Sequence, residues 1–314
     1  MEKIKIIMDV DTGIDDAIAM CLALGNEKIE VLGFTTTYGN RGVDRTTENT
    51  LKILELTGKT DIPVAKGATR PIVTPFEEGI KSFIHGVDGI GDIQPPLPAP
   101  SIKPLEISAV EFMAQTLRNA DRPITLVPVG PLTNVATLIM AHPELLPKIK
   151  EVVIMGGSTM QGNRTAVAEA NIADDPEAAY IVFKSGLKIK MAGLDATHKG
   201  YFTFDEIKEL ADKNRIAATI YKMCDVYITH CRDRMKLPGL AMHDSLPVAW
   251  LINPDLVKSE DYYVTADING RHTYGMTVTD VHRTLNEKPN VTVALDVDRL
   301  AFIKLIEDAF EALS

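Results

Sequence analysis

Short apolar runs alternate with stretches whose apolar residues recur every three or four positions, and the pattern starts at the first residues. Lys5-Ile6-Ile7-Met8-Asp9-Val10-Asp11 is short and Ile-rich, as in a strand buried on both faces. After a turn at Thr12-Gly13, Ala17, Ile18, Met20, Cys21, Leu22 and Leu24 mark a helix. Its first turn carries Asp15 and Asp16, where the helix dipole favours negative charge. Residues 29–36 read as a second strand, 42–57 as a helix with Val43, Thr47, Leu51, Leu54 and Leu56 inward, and 62–65 as a third strand. Strand, helix, strand, helix predicts right-handed parallel crossovers.

The same rhythm resumes after residue 104. A helix is predicted over 107–119, a strand over 124–129, a helix ending near Ala141 and a strand over 151–155. Asp175-Pro176-Glu177 opens another helix, with Asp175 as N-cap and Pro at the first helical position. A strand follows over 188–191. A helical region spans 205–235, where Ile216, Ile220, Met223, Tyr227 and Cys231 form an apolar stripe. Strands over 262–266, 272–278 and 291–295 and a helix from Asp298 close the chain. The fold class expected is α/β: a mostly parallel, Rossmann-like open sheet flanked by helices, in one domain over 1–314. No glycine-rich dinucleotide or phosphate loop follows any strand; Gly13 stands alone.

Composition narrows the function. The 314 residues are 45% hydrophobic and 24% charged, enough for a large core. A net charge of −10 argues against nucleic acid or an anionic membrane as partner. No apolar run reaches the ~20 residues that span a bilayer, and the N-terminus enters a strand without a signal-peptide pattern. Cys21, Cys224 and Cys231 are too few and too oddly numbered for a disulfide framework. Buried thiols in a reducing cytoplasm fit best.

Asp9, Asp11, Asp15 and Asp16 crowd four carboxylates into eight positions, two of them at a strand's carboxyl end, where open α/β sheets bind ligands. They repel one another unless some are protonated or a cation sits among them, and oxygen-only ligands suit Ca²⁺ or Mg²⁺. N-capping accounts for one or two of the four. An EF-hand does not fit: Ile14 stands at its glycine position and Met20 at its closing glutamate.

Two loops carry further candidates. Pro71 to Pro104 holds seven prolines with glycines at 79, 86, 89 and 91, and His85 sits among those glycines, on a segment able to approach a ligand. After the strand at 151–155, Asn163, Glu169 and Asn171 share a polar loop. Asn donates and accepts and Glu accepts, which suits a sugar's hydroxyls. Asp244 can cap the following helix, with His243 beside it.

Asp9-Val10-Asp11-Thr12-Gly13-Ile14-Asp15-Asp16-Ala17 resembles the N-terminal signature of the nucleoside N-ribohydrolases of the inosine-uridine-preferring type, whose usual form has Pro at the place of Thr12. The similarity continues through His85-Gly86, Val127-Pro128-Val129-Gly130-Pro131-Leu132-Thr133-Asn134, Gly162-Asn163, Ala168-Glu169-Ala170-Asn171-Ile172, Asp175-Pro176-Glu177-Ala178 and His243-Asp244. It implies hydrolysis of the N-glycosidic bond of a ribonucleoside to ribose and free base, with one Ca²⁺ per chain held by Asp11, Asp16, the Val129 carbonyl and Asp244. Asp11 would also be the base. Asp15, Asn40, Asn163, Glu169 and Asn171 would hold the ribose, and His243, with His85 second, would protonate the leaving base. The resemblance also implies a homo-oligomer, tetramer or dimer. The family commonly has Phe where this chain has Ala170, which leaves purine or pyrimidine preference open. Two other readings stay open on residues alone: a Mg²⁺ phosphatase of the haloacid dehalogenase type, which shares Asp-x-Asp after a first strand, and a non-catalytic nucleoside-binding protein.

Overall fold

The computed structural model describes residues 2–75 and 84–313; Gly79 of the proline-rich loop lies outside them. In chain order its elements are β1 (Ile4–Val10), α1 (Ile14–Gly25), β2 (Ile29–Thr36), α2 (Val43–Leu56), β3 (Val64–Lys66), α3 (Ala109–Asn119), β4 (Ile124–Pro128), α4 (Thr133–Ala141), β5 (Ile149–Met155), α5 (Ala170–Asp174), α6 (Pro176–Lys184) and β6 (Ile189–Ala192). They continue as α7 (Leu194–Thr197), β7 (Tyr201–Thr203), α8 (Phe204–Leu210), α9 (Arg215–Met223), α10 (Asp225–Thr229), β8 (Gly239–Ala241), α11 (Ser245–Ile252), β9 (Val257–Tyr262), β10 (Val264–Ala266), β11 (Thr277–Thr279), β12 (Val291–Val297) and α12 (Arg299–Ala312).

Eight strands form one sheet in the order β3-β2-β1-β4-β5-β6-β12-β9. Every neighbouring pair is parallel except β12 with β9. The side-chain alternation of β1 divides the core. Ile6, Met8 and Val10 join the cluster of α1, α11 and α12, and Ile7 joins that of α3, α4 and α6. Helices therefore cover both faces, which is why the central strands read as unbroken apolar runs. Each fully buried Ile or Leu contributes roughly 2 kcal/mol to this arrangement.

The strand order reverses between β1 and β4. The connection leaving β1 runs toward β2 on one side, and the one leaving β4 runs toward β5 on the other. The crevice at the carboxyl ends of such a pair is where doubly wound sheets bind ligands. Asp11 follows β1 there, and Val129 and Gly130 follow β4.

Besides the short α5 and the small β7–β8 pair, three stretches differ from the sequence-based expectation. The helix expected over 205–235 is broken: Asn214 accepts the Ala217 N–H and starts α9 afresh, and a π-helical turn, His230–Met235, ends with Lys236 in the left-handed region. The apolar stripe Ile216, Ile220, Met223, Tyr227, Cys231 is nevertheless buried. The strand expected over 272–278 shrinks to β11, because Asp267 accepts the N–H groups of Asn269 and Gly270 and folds the preceding residues into a turn. The unexpected β9 is an edge strand whose Lys258, Ser259, Glu260 and Asp261 are exposed, the charged pattern that blunts a sheet edge and hides it from an apolar search.

Candidate active site

Asp11, Asp15, Asp16 and Asp244 are all buried at the β1/β4 crevice. Asp15, Asp16 and Asp244 converge, with one carboxylate oxygen of each within 4.8 Å of the others. Asp16 closes the turn at the head of α1: its Oδ2 accepts the Gly13 N–H at 2.8 Å and its Oδ1 the Asp11 N–H at 3.2 Å. Asp11 is set by backbone. Its Oδ2 accepts the Asn40 N–H at 2.7 Å, a Cβ on Gly39 would overlap that oxygen, and a Cβ on Gly130 would lie 2.7 Å from Oδ1. Glycine at 39 and 130 is what lets two loops close around one carboxylate. Asp244 stands at the start of α11, yet its side chain makes no capping bond. The capping reading of Asp244 therefore fails, and its carboxylate faces the other acids.

Burial raises all four acids. Asp11 and Asp244 are held well above the usual carboxylate range, first by desolvation and then by neighbouring negative charge, Asp16 for Asp11 and Asp15 for Asp244. Desolvation lifts Asp15 and Asp16 to about 6. Asp15 Oδ1 is buried without a hydrogen-bond partner. An orphaned carboxylate oxygen facing two more carboxylates is a poor end state for a protein alone and a natural ligand for a hard cation. The cluster can hold a metal ion.

The expected ligand set had Asp11 on the metal and Asp15 on the sugar. In the structure Asp15 belongs to the converging group, and Asp11 stands beside it. The Val129 carbonyl reaches the same crevice and accepts Asn171 Nδ2 at 2.6 Å, which leaves its second lone pair. Asn40 braces the acids through Nδ2, to the Asp11 carbonyl and to Asp16 Oδ2, both at 3.3 Å.

Asp9, the remaining acid of the N-terminal four, belongs to the scaffold. Its Oδ1 accepts from Thr35 at 2.6 Å and Asn134 at 2.8 Å, and burial lifts it to about 6.

The polar loop after β5 is tied to itself. Glu169 is buried and accepts the N–H groups of Gly157, Asn171 and Ile172, so it caps α5; burial pushes its pKa up to about 7 against those bonds. Asn163 is exposed and accepts the Ala170 N–H at 2.9 Å. Asn171 Nδ2 also donates to the Met155 carbonyl.

The two histidines lie in different loops, His85 in the proline-rich loop and His243 between β8 and α11. His85 is buried, and its Nδ1 accepts the Ile14 N–H at 3.1 Å, with Asp15 Oδ1 3.9 Å away. Burial lowers it to about 4, opposed by the Asp16 charge. The accepting Nδ1 leaves Nε2 as the protonated nitrogen. His243 Nδ1 pairs with the Thr197 hydroxyl at 2.8 Å, and its ring meets His198 edge-on at 5.5 Å. Burial, then His198, lowers it to about 3. Sequence reasoning missed Thr197 and His198, since nothing in α7 signals contact with a residue 46 positions on. It also missed Asp174, whose negative charge raises Asp11 and Glu169.

This fold and acidic crevice fit a nucleoside hydrolase, an enzyme that cleaves the N-glycosyl bond of ribonucleosides, and the relatives of the chain decide for that class. Residues 6–304 match the inosine-uridine preferring nucleoside hydrolases, and the chain belongs to that family. It is 44% identical over 306 residues to the pyrimidine-specific ribonucleoside hydrolase RihA of Shewanella baltica, covering 97% of this chain and 95% of that one. It is 42% identical to RihA of an Enterobacter species, covering 99% of each. The purine-preferring ribonucleoside hydrolase from Gardnerella vaginalis superposes with a TM-score of 0.92 at 35% identity over 98% of both chains. The phosphatase and the non-catalytic binder are thereby set aside.

Proposed function

We propose that this nucleoside hydrolase works with one Ca²⁺ in the acidic crevice, Asp11 as general base and His243 as the acid, and that pyrimidine nucleosides are its better substrates. The observation that carries the metal reading is the convergence of Asp15, Asp16 and Asp244 with one oxygen of Asp15 unpartnered. Asp16 and Asp244, with Asp11, the Val129 carbonyl and Asp15 around them, would hold the ion, which when bound lowers the pKa of a coordinated water. Asp11 would serve as general base toward the attacking water. Its two flanking glycines and the Asn40 N–H fix the direction of its oxygens. Breaking the bond builds positive charge on the sugar, and the buried carboxylates stabilise it where it develops. His243 acts in its imidazolium form: Nδ1–H then donates to the Thr197 hydroxyl and Nε2–H passes to the departing base, which leaves a neutral ring, and the pKa that burial lowers makes this form a strong acid. His85 Nε2 is the second donor.

Asp15, Asn40, Asn163, Glu169 and Asn171 are proposed to line the ribose. Glu169 and Asn163 do so while capping their own loop, so they also fix its shape. The pyrimidine preference is supported by the higher identity to relatives named pyrimidine-specific than to the purine-preferring structure. Three buried, unpaired thiols suit a reducing compartment, the cytoplasm. The homo-oligomer belongs to the same proposal, and light scattering checks it. The test of the function is product analysis: uridine, cytidine and inosine incubated with purified enzyme should each give ribose and free base, uridine or cytidine fastest. Faster turnover of inosine would overturn the pyrimidine preference.

A further inference from the structure

Two side chains beside the acidic crevice hold the loop that carries His85. Arg41, only 7% exposed, donates from Nε to the Val87 carbonyl at 3.0 Å and from its terminal nitrogens to the carbonyls of Gly86 and Asn40. Asn49, fully buried on α2, donates from Nδ2 to the Asp88 carbonyl at 3.0 Å and the Thr12 carbonyl at 3.3 Å. Three successive carbonyls after His85 are thus tied to Asn40, which braces Asp11 and Asp16, and to Thr12, which follows Asp11.

The loop makes its own shape without either residue. Asp92 accepts the N–H groups of Val87 and Asp88, Asp88 accepts those of Ile90 and Asp92, and Gly91 N–H returns to the His85 carbonyl. Arg41 therefore governs where this closed loop sits, not how it folds. Its planar fork presents donors from three separate nitrogens to three fixed acceptors, whereas an ammonium's three donors diverge from one atom.

We propose that Arg41, seconded by Asn49, is a positioning residue for the reaction: it sets the place from which His85 presents Nε2 to the substrate. This rests on the reading of His85 as a residue that meets the nucleoside. The test is a double-mutant cycle on uridine with Arg41→Met, His85→Ala and the two combined, each checked by thermal melting. Arg41→Met should reproduce the His85→Ala phenotype, KM up about tenfold and kcat within about threefold, as for a group supplied by a loop. In the His85→Ala background it should change kcat/KM by less than about twofold, the scatter of such cycles, because its effect runs through the ring that is no longer there. An Arg41→Met loss that persists undiminished in that background overturns the proposal. So does a His85→Ala defect that Arg41→Met fails to produce, and that result leaves the role of His85 standing. Wild-type kinetics for His85→Ala itself would remove both. If Arg41→Met does not fold, Arg41→Lys, which keeps the charge and loses the fork, carries the same cycle with the same outcomes.

Discussion

The acidic floor and the polar loop after β5 hold similar residues under opposite conditions. On the floor, buried carboxylates face one another and Asp15 Oδ1 has no partner. In the loop, Glu169 is as buried as they are, yet three backbone N–H groups satisfy it. Glu169 would be a stable acid in any protein with this loop, whereas the floor is stable only with fewer charges or with a cation. An unpartnered oxygen alone does not mark the site, since Asp9 Oδ2 in the scaffold is also buried without a partner; the convergence of Asp15 with two further carboxylates does.

The comparison breaks most readily at Asp11. Asp11→Asn removes the proposed base, and kcat should fall by at least about 10²-fold with the melting temperature held or raised, since a crowded charge is lost. More than about a tenth of wild-type kcat would end its assignment as base. His243→Ala should lower kcat on inosine by roughly 10²-fold and much less on p-nitrophenyl riboside, whose leaving group needs no proton. Equal losses on the two substrates would make His243 a residue that positions the site. On the loop side, Asn163→Ala should raise KM only a few-fold, with little change in kcat, because the side chain is exposed and bonded to its own loop. A loss in kcat as large as that of His243→Ala would put the loop in the chemistry.

A smaller effect is read in stability against pH. Asp9 and Glu169 have folded pKa values near 6 and 7, above their ordinary 3.8 and 4.5, and the floor acids are raised too. A carboxylate raised on folding contributes most below its unfolded pKa, and the contribution fades as pH climbs through the folded value. Metal-free protein should therefore lose stability between about pH 4 and 7, by a few degrees in melting temperature. A melting temperature that rises over this window in chelator would mean that the acids are already paired within the chain.

How much of this the sequence could show depends on the range of the contact. The floor was legible because Asp11, Asp15 and Asp16 lie within one turn and their crowding is itself the signal. The parallel sheet was legible from its apolar runs, and β9 was not, because a charged edge strand has no such run. The convergence of Asp15 with Asp244, the Thr197 hydroxyl on His243 and the Arg41 ties to Gly86 and Val87 join segments far apart in sequence. Only packing creates them, and local spacing carries no trace of it. Ala170, where the resemblance puts a Phe, opens α5 in the structure, and its N–H is held by Asn163.

The central claim is that the floor is built for a hard cation. It is met most directly by titrating Ca²⁺ into chelator-stripped protein at pH 7.5, followed by calorimetry and by melting temperature, with Asp244→Asn alongside. The account predicts one ion per chain, a melting temperature that climbs with Ca²⁺ as mass action requires, and at least a tenfold loss of affinity in Asp244→Asn. Mg²⁺ should bind more weakly and compete at the same site, and activity should vanish on stripping and return with the ion. Full activity after exhaustive chelation, with no Ca²⁺ bound and no shift in melting, would contradict it.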